Sequence, residues 1–265
     1  MTPLMKTSAS LLLLMPMASC LSAWADEPVM DGKWRGSGTA SVSYASGNTR
    51  SASLALAADG ARQTSDDKLS LYAQALGSRA ESTANGVTST NTTANQWKAG
   101  TRYDRNITDT TFGFGGLDFS HDQIQLLSLR SIVSAGAGYH LIKTAETQWD
   151  LLGGASYRAD QYANPGVAIG NQTRTTFSAP ALLLGEESSS KLTASTSLKQ
   201  RLVVSPNLSS DRGYLATFDT GLTVAMSETL SLKVSLQDRY NSLSQVPVKK
   251  NDLLFLTGIN VKFGG

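Results

Sequence analysis

From Gly32 to the C-terminus the chain keeps a period of two, and almost no segment keeps a helical one. Over residues 33–46 the even positions are Trp34, Gly36, Gly38, Ala40, Val42 and Tyr44, and the odd ones are Lys33, Arg35, Ser37, Thr39, Ser41 and Ser43. Successive side chains of a strand point to opposite faces, so this is one apolar and one polar face. The same separation runs through Ala52/Leu54/Leu56/Ala58, Leu69/Leu71/Ala73/Ala75, Trp97/Ala99/Thr101/Tyr103 and Trp149/Leu151/Gly153/Ala155/Tyr157. It returns in Tyr214/Ala216/Phe218/Thr220/Leu222/Val224, Leu230/Leu232/Val234/Leu236 and Leu253/Phe255/Thr257/Ile259/Val261/Phe263.

Twelve such runs are predicted, over residues 33–46, 49–62, 67–80, 93–106, 110–121, 126–142, 147–160, 172–185, 190–204, 212–226, 230–242 and 250–263. Each has room for the roughly 9 to 11 residues that a tilted strand needs to cross a bilayer. An even number brings both ends of the chain to one side. Two runs depart from the pattern. Residues 110–121 place Phe112 and Phe114 on the face that carries Asp118, so either a bulge shifts the phase or two aromatics face inward. Residues 172–185 have leucines on both faces.

The connections alternate in length. Short polar turns are expected at 64–67, 108–109, 144–147, 187–189 and 227–229, and longer segments at 80–92, 162–172, 205–211 and 242–251. Ser46-Gly47-Asn48-Thr49 reads as a hairpin turn. Short periplasmic turns and long outer loops are the habit of outer-membrane barrels, which puts both termini in the periplasm. A soluble sandwich would turn every 8 to 12 residues or so, far more often than this chain does. Aromatics also gather near the strand ends on the apolar face, at Trp34, Trp97, Tyr103, Trp149, Tyr157, Tyr214 and Phe263, as a lipid-facing girdle would.

The expected fold is therefore all-β: a closed, up-and-down antiparallel transmembrane β-barrel of about twelve strands, preceded by a cleaved signal peptide. Residues 1–25 carry that signal: Lys6, the apolar run around Leu11 to Met17, and an A-x-A site at Ala23-Trp24-Ala25. A rival reading takes Met17-Ala18-Ser19-Cys20 as a lipoprotein box with Cys20 acylated. Residues 26–31 form a short periplasmic segment and 32–265 the barrel.

Composition narrows the function. With 40% hydrophobic and 17% charged residues, and Lys+Arg 23 against Asp+Glu 21, the chain is too apolar for disorder and too evenly charged for a nucleic-acid binder. The single cysteine, Cys20, and two histidines, His121 and His140, argue against a disulfide scaffold, a zinc enzyme or any cofactor. His121, beside Asp122 and near Ser120, Ser128 and Ser131, is the one position where a Ser/His/acid lipid hydrolase could sit, and a histidine at a watery rim is the plainer reading. His140 reads as pore-lining. Gly136 and Gly138 read as room for lumen side chains rather than a phosphate loop.

The polar face is more informative. It carries Lys33, Arg35, Lys68, Lys98, Arg102, Arg130, Arg158, Lys199, Arg201, Lys233, Arg239 and Lys262, against Asp104, Asp118, Asp150, Asp160 and Asp219. A basic lumen in a nearly neutral chain suits small anions. Lys98, Arg102, Arg130, Arg158, Lys199, Arg201, Lys233 and Arg239 are the candidate lining residues.

Trp34-Arg35-Gly36-Ser37-Gly38 leading to Ser46-Gly47-Asn48-Thr49, Tyr103-Asp104 before Ile107-Thr108-Asp109, Gly136-Ala137-Gly138-Tyr139, and Leu230-Ser231-Leu232 before Asn251-Asp252 stand in an order and spacing that covers nearly all of the chain after residue 25. In these the chain resembles the salt-induced outer-membrane proteins of unknown function, domain of unknown function 481. The resemblance implies a signal peptide and an outer-membrane barrel, and offers no reaction or ligand to carry over. The functions to weigh are a passive channel for small, anionic solutes and a non-conducting structural or stress-related envelope barrel, with an outer-membrane lipid hydrolase third. Expected partners are outer-membrane lipid and lipopolysaccharide, small solutes, and the barrel-assembly machinery, which would read the closing Gly258-Ile259-Asn260-Val261-Lys262-Phe263.

Overall fold

A computed structural model describes residues 30–45, 50–84, 87–169, 172–209, 213–244 and 249–264. The expected signal peptide, most of the segment after it and the 46–49 turn lie outside the described residues. The strands are β1 (Trp34–Ala45), β2 (Arg50–Gln63), β3 (Asp67–Ala84), β4 (Val87–Asn106), β5 (Thr111–Asp122), β6 (Leu127–Lys143), β7 (Thr147–Tyr162), β8 (Val167–Ile169), β9 (Gln172–Arg174), β10 (Thr176–Lys191), β11 (Thr196–Pro206), β12 (Tyr214–Ala225), β13 (Leu230–Asn241) and β14 (Asn251–Gly264). Twelve of them close an antiparallel barrel in the order β1-β14-β13-β12-β11-β10-β7-β6-β5-β4-β3-β2, while β8 and β9 form a separate small hairpin.

One device repeats at the short turns. At Thr64, Thr108, Thr144, Thr193 and Ser227 the backbone N–H donates to the carbonyl three residues on, at 2.8 to 3.2 Å. The same residue's hydroxyl accepts a backbone N–H three positions on, from Asp67, Thr111, Thr147, Thr196 and Leu230 in turn. A Thr or Ser hydroxyl that satisfies the turn's own backbone makes the reversal tight.

This device corrects two expected boundaries. The turn expected at 187–189 is strand, and the chain reverses instead at Thr193-Ala194-Ser195-Thr196, which repeats the pattern of Thr144-Ala145-Glu146-Thr147. The run expected over 172–185 is β10, shifted to 176–191, and 172–174 belongs to the loop hairpin. A third change lies at 80–92, where the expected long loop is mostly strand, β3 and β4 pairing as far as Ala84 and Val87.

The apolar phase faces outward on most barrel strands, while β5 and β10 also turn apolar side chains inward. Trp34, Tyr103, Trp149 and Phe263 lie exposed toward the short turns together with Tyr139, and Trp97, Tyr157 and Tyr214 lie exposed toward the long loops together with Tyr44. Leucines and valines such as Val133, Leu151 and Leu184 fill the band between them.

At 110–121 no bulge rescues the phase: Phe112 and Phe114 point inward and are buried. Their rings lie where Gly136 and Gly138 lack side chains; a Cβ on Gly136 would come within 2.8 Å of the Phe114 ring, and one on Gly138 would enter the Phe112 ring. Gly138→Val is therefore expected to destabilise the barrel by about 1–3 kcal/mol through overpacking. Gly153→Val, where the added Cβ meets open space, should be nearly neutral. Urea midpoints of the refolded variants would separate the two.

Candidate functional site

Closure of the sheet places the polar phase in a lumen crossed by side chains from facing walls. Lys98 on β4 donates to Gln237 on β13 at 3.4 Å and lies 3.8 Å from Asp219 on β12, the strand diametrically opposite. Gln237 in turn donates to Gln74 on β3 at 3.1 Å. Nearer the short turns Arg102 on β4 grips Glu187 on β10 at 2.7 and 2.9 Å, and Arg201 on β11 reaches the same carboxylate at 2.7 Å. Arg102 also binds Asp104 of its own strand at 2.6 Å and lies over the Phe114 ring, 4.8 Å from its centroid. Tyr72 donates to Asp118.

A third crossing lies at the loop end, where Gln125 of the β5–β6 turn donates to Asp252 of β14. Beside it Asp160, almost wholly buried, accepts from Nε and Nη2 of Arg130 at 2.7 and 2.8 Å and from the Tyr162 hydroxyl at 2.8 Å. Arg158 lies 3.6 Å from that carboxylate with its guanidinium over the Phe177 ring. At the opposite mouth Arg35 donates to both oxygens of Asp31 at 2.8 Å, which holds the Asp31 carboxyl well below the usual carboxylate range.

Between these bridges the lumen holds cavities of about 690, 210 and 180 Å³. The two smaller ones meet at Tyr72 and Lys98. Lys199, Lys233 and Arg239 also share the lumen face, and among the described residues no carboxylate lies within ion-pair distance of them. The eight expected lining residues thus fall into distinct groups: Arg102 and Arg201 share Glu187, Arg130 and Arg158 share Asp160, Lys98 bridges the walls, and Lys199, Lys233 and Arg239 remain without a carboxylate.

The acids on this face are more numerous than the sequence suggested. Glu187, expected in a turn, is central to the lumen, and Asp59, Asp122 and Asp252 share the inward phase, so the basic excess is smaller. His140 faces inward, bonded to Asp150 at 2.6 Å and stacked on Phe112 with centroids 4.9 Å apart. His121 faces outward, stacked on Trp97, with Nδ1 3.0 Å from the Ser128 carbonyl. Asp122 is taken up by the N–H groups of Ile124 and Gln125. No triad therefore assembles around His121 among the described residues. No group of His, Cys, Asp and Glu side chains there is placed to hold a metal.

The family described as Protein of unknown function, DUF481, matches residues 38–263, and the chain belongs to it. No curated protein matches. Among solved structures the chain is similar to the COG4313 outer membrane channel from Pseudomonas putida F1, at 12% identity and TM-score 0.45, covering 92% of this chain and 100% of that one. The KdgM porin aligns at 9% identity and TM-score 0.44 over 87% and 99% of the two chains. The translocator domain of the autotransporter NalP from Neisseria meningitidis aligns at 10% and 0.44 over 87% of each.

Proposed function

We propose that this DUF481 chain is an outer-membrane β-barrel that acts as a narrow passive channel for small anionic solutes, with its short turns and both termini toward the periplasm. The Lys98 bridge carries the reading. Phe112, Phe114, Leu152, Leu183 and Val203 pack as an apolar cluster on part of the lumen wall, but what parts the two smaller cavities is one flexible lysine and two amides. A lysine is a mobile point charge on a long stem, and its swing is enough to join the cavities. Lys199, Lys233 and Arg239 supply uncompensated positive charge along the way, and a low-dielectric passage lined with one sign of charge concentrates the opposite ion.

The two exposed aromatic rings would sit at the membrane interfaces, with lipid and lipopolysaccharide around the band between them. The closing β14 strand would be read by the assembly machinery. No catalytic role is assigned to any residue.

Single-channel recording of the refolded protein in planar bilayers tests this reading. Small, steady openings with anion preference are expected, the preference weakening as salt screens the lumen charges. Lys98→Ala should raise the conductance and reduce the preference. Silence from both proteins would favour the non-conducting envelope barrel, for which the Arg102–Glu187 crossing speaks.

A further inference from the structure

The barrel does not close evenly. β1 and β14 pair only from Arg35↔Gly264 to Ala40↔Ile259. Their other neighbours continue well beyond that height: β1 pairs with β2 as far as Ala45, and β14 with β13 as far as Asn251. Ser41 and Gly258 still lie in close contact, and beyond them the facing edges of residues 42–45 and 251–257 stand apart on the loop side.

Exposure marks the same seam. Val42 (75%), Tyr44 (74%), Leu253 (66%) and Phe255 (64%) are the most exposed large apolar side chains on the described barrel strands, because none has a neighbour across the gap. Apolar side chains face the lumen in the packed Phe112, Phe114, Leu152, Leu183 and Val203 cluster, whereas at the seam Leu254 and Leu256 of β14 turn inward beside Ala55 and Leu76 around an open cavity. These line the 690 Å³ cavity together with Ser41, Ser43 and Ser53, and its loop-side end carries Asp122, Gln125, Lys249 and Asp252.

We infer that this seam is a lateral port, through which an acyl chain of the surrounding membrane lipid reaches the upper lumen. The inference rests on the membrane-spanning reading above. At a rise of about 3.3 Å per residue and a tilt of about 40°, Ser41 stands about 18 Å above Trp34, in the loop-side half of an apolar band about 25 Å tall. Unpaired strand edges are costly in hydrocarbon and tolerated where they line a watery cavity. The serines of β1 and β2 provide that on the lumen side. On the outer side Val42, Leu253 and Phe255 continue the lipid-facing surface into Leu254 and Leu256. The pocket is thus apolar at the slot and polar at its end, the profile of an amphiphile with its chain in the slot and its head among Gln125, Lys249 and Asp252.

The test uses the full barrel in vesicles containing phospholipid with a spin label midway along the acyl chain. A bimane fluorophore is attached to Leu256→Cys, with Leu76→Cys as a second port position, Val133→Cys as the lipid-facing reference and Ser156→Cys on the far lumen wall. Quenching at both port positions is expected within about two-fold of Val133 and several-fold above Ser156, since the wall shields only the latter. Port quenching no greater than at Ser156 overturns the inference, as a sealed seam if the protein is monomeric by native mass, or as edges joined to a second copy if it is dimeric. Absence of quenching at Val133 overturns the membrane-spanning reading itself, and the port with it.

Discussion

Asp160→Ala is expected to lower the unfolding free energy of the refolded barrel by about 3–5 kcal/mol, the range for removing one partner of a buried ion pair. Asp160 is 2% exposed and is the only carboxylate within ion-pair distance of Arg130 and Arg158 among the described residues. Arg130 meets it with two parallel N–H donors, and Arg158 is itself buried, with Nε and Nη1 lacking a hydrogen-bond partner among the described residues. Alanine would leave both guanidiniums without their counter-ion, largely buried at the wall of a lumen cavity beside the Phe177 face and the Tyr162 hydroxyl. Asp160→Asn keeps the shape while removing the charge, so it should recover only the Tyr162 contact and fall between wild type and alanine. Asp109→Ala, in an exposed turn, should change little. Urea titrations in one detergent, followed by tryptophan fluorescence, would rank the three. A loss at Asp160 no larger than at Asp109 would mean that water reaches the Arg130–Arg158 corner freely and that it is not a buried ion cluster.

The Arg130–Asp160 pair also shows what the sequence could reveal and what it could not. Both residues fall on the polar phase of consecutive strands, so their neighbourhood was legible from alternation and turn placement, and the register sets them opposite each other. The contacts across the lumen were not legible. Lys98 meets Asp219 and Gln237 only because β4 comes to face β12 and β13 when the sheet closes, and strand alternation carries no information about which inward residues meet across the interior.

Glu187 was hidden for a different reason. The polar stretch Glu186-Glu187-Ser188-Ser189-Ser190 looks like a turn by composition, but its inner residues face a wet lumen, and its outer ones find partners at the turn-side rim, where Glu186 accepts from Trp149 and Gln200. The repeated Thr-x-x-Thr of 144–147 and 193–196 was the signal that would have moved the turn. Phe112 and Phe114 were legible as an anomaly, and the glycines of β6 opposite them held the resolution, since an inward aromatic needs a neighbouring strand without side chains. The partial β1–β14 pairing left only a faint trace in the sequence, the unbroken apolar run Leu253-Leu254-Phe255-Leu256.

The remaining large effect separates the two faces of one strand. Val133 and Ser134 are consecutive on β6, near mid-strand, with Val133 exposed on the outer surface and Ser134 lining a lumen cavity. Val133→Arg would place a guanidinium on the lipid-facing surface level with Tyr157, at the loop-side edge of the apolar band. A basic residue costs about 2–4 kcal/mol at the midplane and less toward the aromatic ring, so a loss of about 1–2 kcal/mol is expected here. Ser134→Arg introduces the same charge into a hydrated space that Asp118 also lines, so the loss should be well under half as large, with repulsion from Arg130 and Arg158 offsetting part of the Asp118 attraction. Urea unfolding in lipid vesicles, with refolding reversibility checked for each variant, gives both values. In detergent micelles, which deform around an exposed charge, the Val133→Arg loss should shrink while the Ser134→Arg loss stays put. Equal losses on the two faces in vesicles would place the exposed band of Val133, Leu151 and Leu184 in water rather than in lipid.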